Sequence, residues 1–332
     1  MNNVRSVTVH TFSSAKGGVG KTALAVAAAK ILADRGRSPI FVDCDLTGTS
    51  VADGLRLRAP ETTSGSVGTV DLCAPPTGKL LTVAETQKLR GRRRDKQWKD
   101  VPPPPPYFND AFAFEGAEHG NDCRIDAMIW RHERDDGVRY LPSSPFRHDA
   151  LVALGWLYQE IPLEWMRRLA WLLDLMVETF LDLTDIIIDL PPTLVGFAHE
   201  ASVLVSQIEK RTPWPEGYPK WDFDQLQWKA NPILVVTPDL NALLVSLEYV
   251  ARTLTRIPSL LPIVNQNWQG LAVIREEMRR RLPDHYGILG LEQKLCSVDH
   301  LASTLGRLFW DGDLVVNEDV RRLAEVLRLE VG

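Results

Sequence analysis

The chain has 332 residues, 45% of them hydrophobic, and a formal net charge of −5. That is enough apolar material for one large core, and the balance is too acidic for a surface coated in positive charge. No apolar run reaches the roughly 18 residues of a membrane helix, and no leader is expected because Met1 to Arg5 run straight into the first strand pattern. The four cysteines, Cys44, Cys73, Cys123 and Cys296, are scattered without a CxxC pair, which speaks against a zinc or iron–sulfur centre and for thiols in a reducing cytoplasm.

In chain order, Val7, Val9 and Phe12 alternate as a strand does, and Ala23 to Leu32 form a run of strong helix formers. Between them residues 16–22 read Lys-Gly-Gly-Val-Gly-Lys-Thr. A strand, a glycine-rich loop and a helix in that order make a phosphate-binding loop. Gly17, Gly18 and Gly20 let backbone N–H groups turn inward, and the helix start beside Lys21 presents its positive end to an anion. The loop from Gly17 through Val19 to Ala23 is therefore expected to cradle a nucleotide. Lys21 is expected at the β/γ-phosphates and the Thr22 hydroxyl on Mg²⁺. Further on, Ile40 to Val42 form a buried strand that ends in Asp43 and Asp45. Residues 185–193, DIIIDLPPT, form a second apolar run closing on a carboxylate, Asp189. Residues 163–185 are expected to form one long amphipathic helix with Leu169, Leu172, Leu173, Met176 and Phe180 in the core. Two more apolar strands are expected at 231–239 and 260–267. The C-terminal run 319–331 places Val320, Leu323, Leu327 and Val331 on one helical face. Its mixed charges favour packing on the core over lying on a membrane.

The second lysine at the loop's front edge, Lys16, resembles the deviant Walker A loop of the ParA/MinD superfamily of P-loop ATPases. The segments at 38–55, 185–193, 231–239 and 260–267 recur in that superfamily's order. The resemblance implies a single α/β domain over residues 1–332 with a doubly wound, mostly parallel sheet and helices on both faces. It implies ATP and Mg²⁺ as ligands and an ATP-dependent homodimer in which Lys16 reaches the partner's phosphates. Asp45 is then implied to orient the attacking water, while Asp43 and Asp189 hold the metal through water and Asn265 recognises the adenine edge. The function so implied is an ATPase that acts as a dimerisation switch and positions or partitions cargo such as DNA or a protein complex. A switch subunit of a secretion, polysaccharide-synthesis or defence assembly is one alternative, and a small-molecule ligase or kinase of the same P-loop group is another.

Two segments depart from that pattern. Residues 56–140 carry a basic run at 89–99, prolines at 102–106 and then Tyr107, Phe108, Phe112 and Phe114. Residues 208–231 contain Trp214, Tyr218, Trp221, Phe223 and Trp228. Both read as insertions: residues 85–115 are expected either to grip a protein partner or nucleic acid or to be a solvated excursion, and residues 211–229 either to fold back on the body as an Ω-type cap or to await a protein partner. Arg279, Arg280 and Arg281 read as a solvated helix face, with nonspecific DNA as their other use.

Overall fold

The computed structural model describes residues 4–46, 51–63, 72–94, 104–113, 123–213, 219, 225–253, 255–265, 270–281, 283, 296–298 and 318–329. Its elements in chain order begin with β1 (Arg5–Ser13), α1 (Lys21–Asp34), β2 (Pro39–Asp43), α2 (Val51–Gly54), β3 (Leu57–Thr62), β4 (Pro76–Thr82) and α3 (Val83–Arg94). There follow α4 (Phe108–Phe112), β5 (Trp130–His132), β6 (Arg139–Leu141), α5 (Arg147–Gln159), α6 (Pro162–Thr179), β7 (Asp185–Asp189) and α7 (Phe197–Glu209). The remainder are β8 (Leu226–Val236), α8 (Leu240–Thr253), β9 (Leu261–Asn265), α9 (Leu271–Arg281), β10 (Cys296–Val298) and α10 (Glu318–Val326). The chain divides into two compact units. The first is Met1–Pro39, Thr184–Trp214 and Asp222–Gly332, and the second is Ile40–Leu183 and Pro215–Trp221.

In the first unit five strands run parallel in the order β10-β9-β8-β1-β7. Strands of such a sheet are apolar on both faces where they are covered, as Ile186–Ile188 of β7, Ile233–Val236 of β8 and Leu261–Val264 of β9 are. Leu234 and Val236 of β8 join Val203, Leu243, Val250, Ile274 and Met278 in a core under α7, α8 and α9. Ile233 and Val235, which alternate to the other face, are equally buried. Helix α1 has almost no polar side, and its residues from Leu24 to Leu32 are buried. Helix α10 lies against α1 and β10 with Leu323, Ala324, Leu327 and Leu329 buried, so the C-terminal helix is a core element. Val331 lies outside the described residues, as does the Val320 side chain.

A buried polar chain crosses this unit. Arg37 donates to Asp185 through Nε at 2.5 Å and Nη2 at 3.0 Å, and His10 Nε2 lies 3.0 Å from the same carboxylate. Asn231, opposite His10 in the β1–β8 register, donates from Nδ2 to His10 Nδ1 and to the Leu327 carbonyl, each at 2.9 Å. Because Nδ1 accepts, the His10 proton sits on Nε2 and is donated to Asp185. Burial pushes the Asp185 carboxyl up, but the His10 and Arg37 bonds together bring it below its ordinary value. The tethered carboxylate opens β7, whose last residue is Asp189.

The second unit has the strand order β2-β6-β5-β3-β4, with β2 and β6 parallel and the other neighbours antiparallel. Among the described residues of 56–140, the aromatics are core side chains rather than an exposed grip. Tyr107, Phe108, Phe112 and Trp130 are fully buried, with the Tyr107 and Trp130 rings tilted against each other at 4.8 Å and Phe108 and Phe112 stacked at 5.3 Å between centroids. Pro104, Pro105 and Pro106 are interior as well, and the Pro106 carbonyl accepts from Trp130 Nε1 at 3.3 Å. Arg90, from the basic run, is buried between Asp110 and Asp149, over the Tyr107 ring, and donates to the Pro105 carbonyl. A basic sequence run supplied an internal ion pair because two aspartates from distant segments converge on it. Phe114 and residues 95–103 lie outside the described residues.

The expected helix over 163–185 is α6, which stops at Thr179. Its Leu169, Leu172, Leu173 and Met176 are buried as expected. Strand β8 begins at Leu226 rather than near 231, because Trp228 is buried and the strand pairs with β1 from Arg5 onward. Trp228 is thus a core residue and not part of an aromatic docking loop. Trp214, Tyr218, Trp221 and Phe223 lie outside the described residues.

Candidate nucleotide site

In the first unit the C-terminal ends of β1, β7 and β9 deliver the candidate residues, which is where open parallel sheets place their ligands. The loop from β1 into α1 passes through the left-handed region at Gly18 (φ 76°) and Gly20 (φ 81°). A Cβ added at Gly18 would meet nothing within 4 Å, so glycine is needed there for backbone conformation and the space in front of it is open. Gly20 caps α1 with no side-chain hydrogen bond, and the first turn carries no acidic residue. The backbone donors at this helix start are left for a ligand, and an anion suits them.

Lys21 and Thr22 open α1 and converge on Asp189. Lys21 is buried and forms an ion pair with one carboxylate oxygen, and the Thr22 hydroxyl donates to the other at 2.6 Å. Asp189 is itself buried and closes β7. An ammonium, a hydroxyl and a carboxylate beside a glycine loop fit a Mg²⁺-bound nucleotide. Phosphate oxygens would draw Lys21 from Asp189, and the hydroxyl and carboxylate are hard oxygen ligands of the kind Mg²⁺ takes directly or through water. Ala23 continues the first turn of α1.

Asn265, expected to recognise the adenine edge, contacts the phosphate loop's main chain in this structure. Its side chain is fully buried, and Nδ2 donates to the Val19 carbonyl at 2.7 Å, so β9 holds the phosphate loop's main chain. Asn267 lies outside the described residues. Lys16, at the front of the loop, is half exposed, with Nζ 3.9 Å from Asp239, and its carbonyl accepts from Ser14 Oγ at 3.0 Å. Gly17 has only the Pro192 ring at 4.0 Å from its potential Cβ, which sets the loop beside the residues that follow β7.

Asp43 and Asp45 belong to the second unit. The buried Asp43 carboxylate accepts from Ser143 Oγ at 2.7 Å, Asp45 N at 3.1 Å and Val51 N at 3.3 Å. It ties the end of β2 to the start of α2 and to the segment after β6. Asp45 stands partly exposed next to it. Local pattern does not encode the His10–Asp185–Arg37 chain, although a histidine inside an apolar strand and an aspartate opening an apolar run are both legible. Arg279 to Arg281 bond to Glu276 and Glu277 of their own helix, as a solvated face does.

The residues that build the loop also carry its relationships. Residues 5–91 match the family model described as ParA: NUBPL iron-transfer P-loop NTPase. A search of curated protein sequences returned no match. Among solved structures, apo McdA from Cyanthece superposes with a TM-score of 0.55 at 15% identity, covering 99% of this chain and 100% of that one. A plasmid partition protein from Borrelia burgdorferi B31 bound to AMPPNP gives 0.52 at 13% identity, covering 97% and 98%. No helix among the described residues is long and apolar enough to cross a membrane. The family match covers residues 5–91, around the phosphate loop, and the chain shares its fold with these two structures over nearly its whole length.

Proposed function

We propose that the protein is an ATP-driven dimerisation switch that positions or partitions a cargo in the cytoplasm. The observation that carries this reading is the joining of Lys21, Thr22 and Asp189 behind a glycine loop whose front lysine, Lys16, stays exposed. Lys21 exchanges Asp189 for the β/γ-phosphates when ATP binds, and the α1 N-terminus and loop N–H groups hold the remaining phosphate oxygens. Thr22 would hold Mg²⁺, with Asp189 and Asp43 bonded to it through water, and the ion would supply charge neutralisation for the triphosphate. Asp45 orients the attacking water. Lys16 is too exposed to serve its own site as Lys21 does, and it completes the phosphate charge of a second copy instead. One similar structure, a plasmid partition protein, supports this choice of cargo class. DNA as the cargo, like any protein partner, belongs to this proposal.

Paired substitutions test it. Lys21→Ala abolishes nucleotide binding, whereas Lys16→Ala binds ATP normally but loses both ATP-driven pairing and hydrolysis. Normal turnover by a monomeric Lys16→Ala protein overturns the switch.

A further inference from the structure

The residues that follow β6, Pro142, Ser143 and Ser144, make hydrogen bonds in two directions. Toward β2, Ser143 donates to Asp43 Oδ2 from its hydroxyl at 2.7 Å and from its N–H at 3.4 Å. The same carboxylate accepts from Asp45 N at 3.1 Å and from Val51 N at 3.3 Å, at the two ends of the loop between β2 and α2. Asp43 therefore holds the main chain that carries Asp45, and Ser143 holds Asp43. Toward the inserted segment, the Pro142 carbonyl accepts from Phe108 N at 2.9 Å, and Ser144 N donates to Asn109 Oδ1 at 2.6 Å. The Ser144 hydroxyl donates at 2.6 Å to Asp149, the carboxylate that Arg90 also holds. Arg90 pairs in turn with Asp110, which accepts from Tyr107 N at 2.8 Å.

All of these residues belong to the second unit. Ser143 and Ser144 are 1% and 4% exposed, and Asn109 and Asp43 2% each, so water does not stand in for a bond that is removed. A loop whose carboxylate must stand in one place to order a water gains from such anchorage, because a displacement of about 1 Å costs up to about a hundredfold in rate.

We infer that Ser143 is a positioning residue for Asp45, and that the inserted segment holds Ser143 in place through Asn109. The inference rests on the proposed role of Asp45 in orienting the attacking water. It gives the inserted segment a use in hydrolysis that needs neither a protein partner nor nucleic acid. Ser143 acts through the Asp43 carboxylate and not on the nucleotide.

Steady-state ATP hydrolysis by the full chain tests it, with active sites counted by titration of a fluorescent ATP analogue and every assay run well below the variant's Tm. Ser143→Ala removes the shortest of these bonds to Asp43 and adds no bulk. Its kcat falls about tenfold, while KM and the affinity for the analogue stay within about twofold. Ser143→Thr keeps the hydroxyl and retains most of the wild-type kcat. Asn109→Ala acts one step further out, leaves Ser143 intact and lowers kcat about threefold with KM unchanged; if Ser143→Ala does not fold, this variant decides. Wild-type kcat in Ser143→Ala overturns the inference, as does a loss that appears in KM and affinity instead, or a Ser143→Thr protein of unchanged Tm that is no faster than Ser143→Ala. Asp45→Ala separates this failure from that of the underlying reading. If Asp45→Ala turns over ATP as wild type does, the role of Asp45 falls and the inference with it. If it is inactive while Ser143→Ala is normal, the inference alone falls.

Discussion

Replacing Asn265 by alanine separates two roles that the same residue could play in a nucleotide site. The side chain is fully buried, and its amide donates to the Val19 carbonyl at 2.7 Å. Alanine leaves that carbonyl without its side-chain donor in a buried setting, at a cost of about 1–3 kcal/mol. For a chain of this size that lowers Tm by roughly 2–6 °C. The loop must then be ordered by the nucleotide itself, and each 1.4 kcal/mol so diverted weakens binding about tenfold. Because the tether is to the main chain, ATP and GTP lose the same factor. Titration of fluorescent ATP and GTP analogues into wild-type and Asn265→Ala protein, with melting curves alongside, reads both quantities. An unchanged Tm with a loss confined to ATP would refute the tether and return Asn265 to the adenine edge.

The buried Asp185 gives a pH dependence. Its carboxyl is held below the ordinary value of 3.8, so the fold binds the charged form more tightly. This stability is complete above the unfolded value and lost as pH falls through the folded one. Wild-type protein should therefore weaken on acidification below about pH 4, while Asp185→Asn is less stable by about 3–5 kcal/mol at neutral pH and shows a shallower acid slope in denaturant titrations. Equal slopes would remove Asp185 from the acid response. Phe112→Ala should cost about 3–5 kcal/mol, because the ring is fully buried against Phe108 and Trp156. A loss within about 0.5 kcal/mol, as at an exposed site, would mean that the aromatic segment is not core.

What could be read from the sequence was what depends on local pattern. The loop glycines, Lys21 and Thr22 are consecutive, and the strands that end in Asp43 and Asp189 are short apolar runs with a carboxylate at the end. Strand order and the division into two units depend on pairings between distant segments, which no local pattern encodes. The same limit explains the errors at the insertion. Arg90 reads as part of a basic patch until Asp110 and Asp149 are brought to it, and Tyr107 reads as exposed until Trp130 covers it. Asn265 is named as a site residue by its place in the family resemblance, at the adenine edge. Its partner is a backbone carbonyl 246 positions away, which made its role invisible.

The dimerisation switch is tested most directly by light scattering on Asp45→Ala protein, which should bind ATP and hydrolyse it poorly. The mass should double with ATP and Mg²⁺ and return to that of a monomer with ADP. Adding Lys16→Ala should keep it monomeric with either nucleotide. A mass that is the same with ATP, with ADP and without nucleotide would contradict the switch.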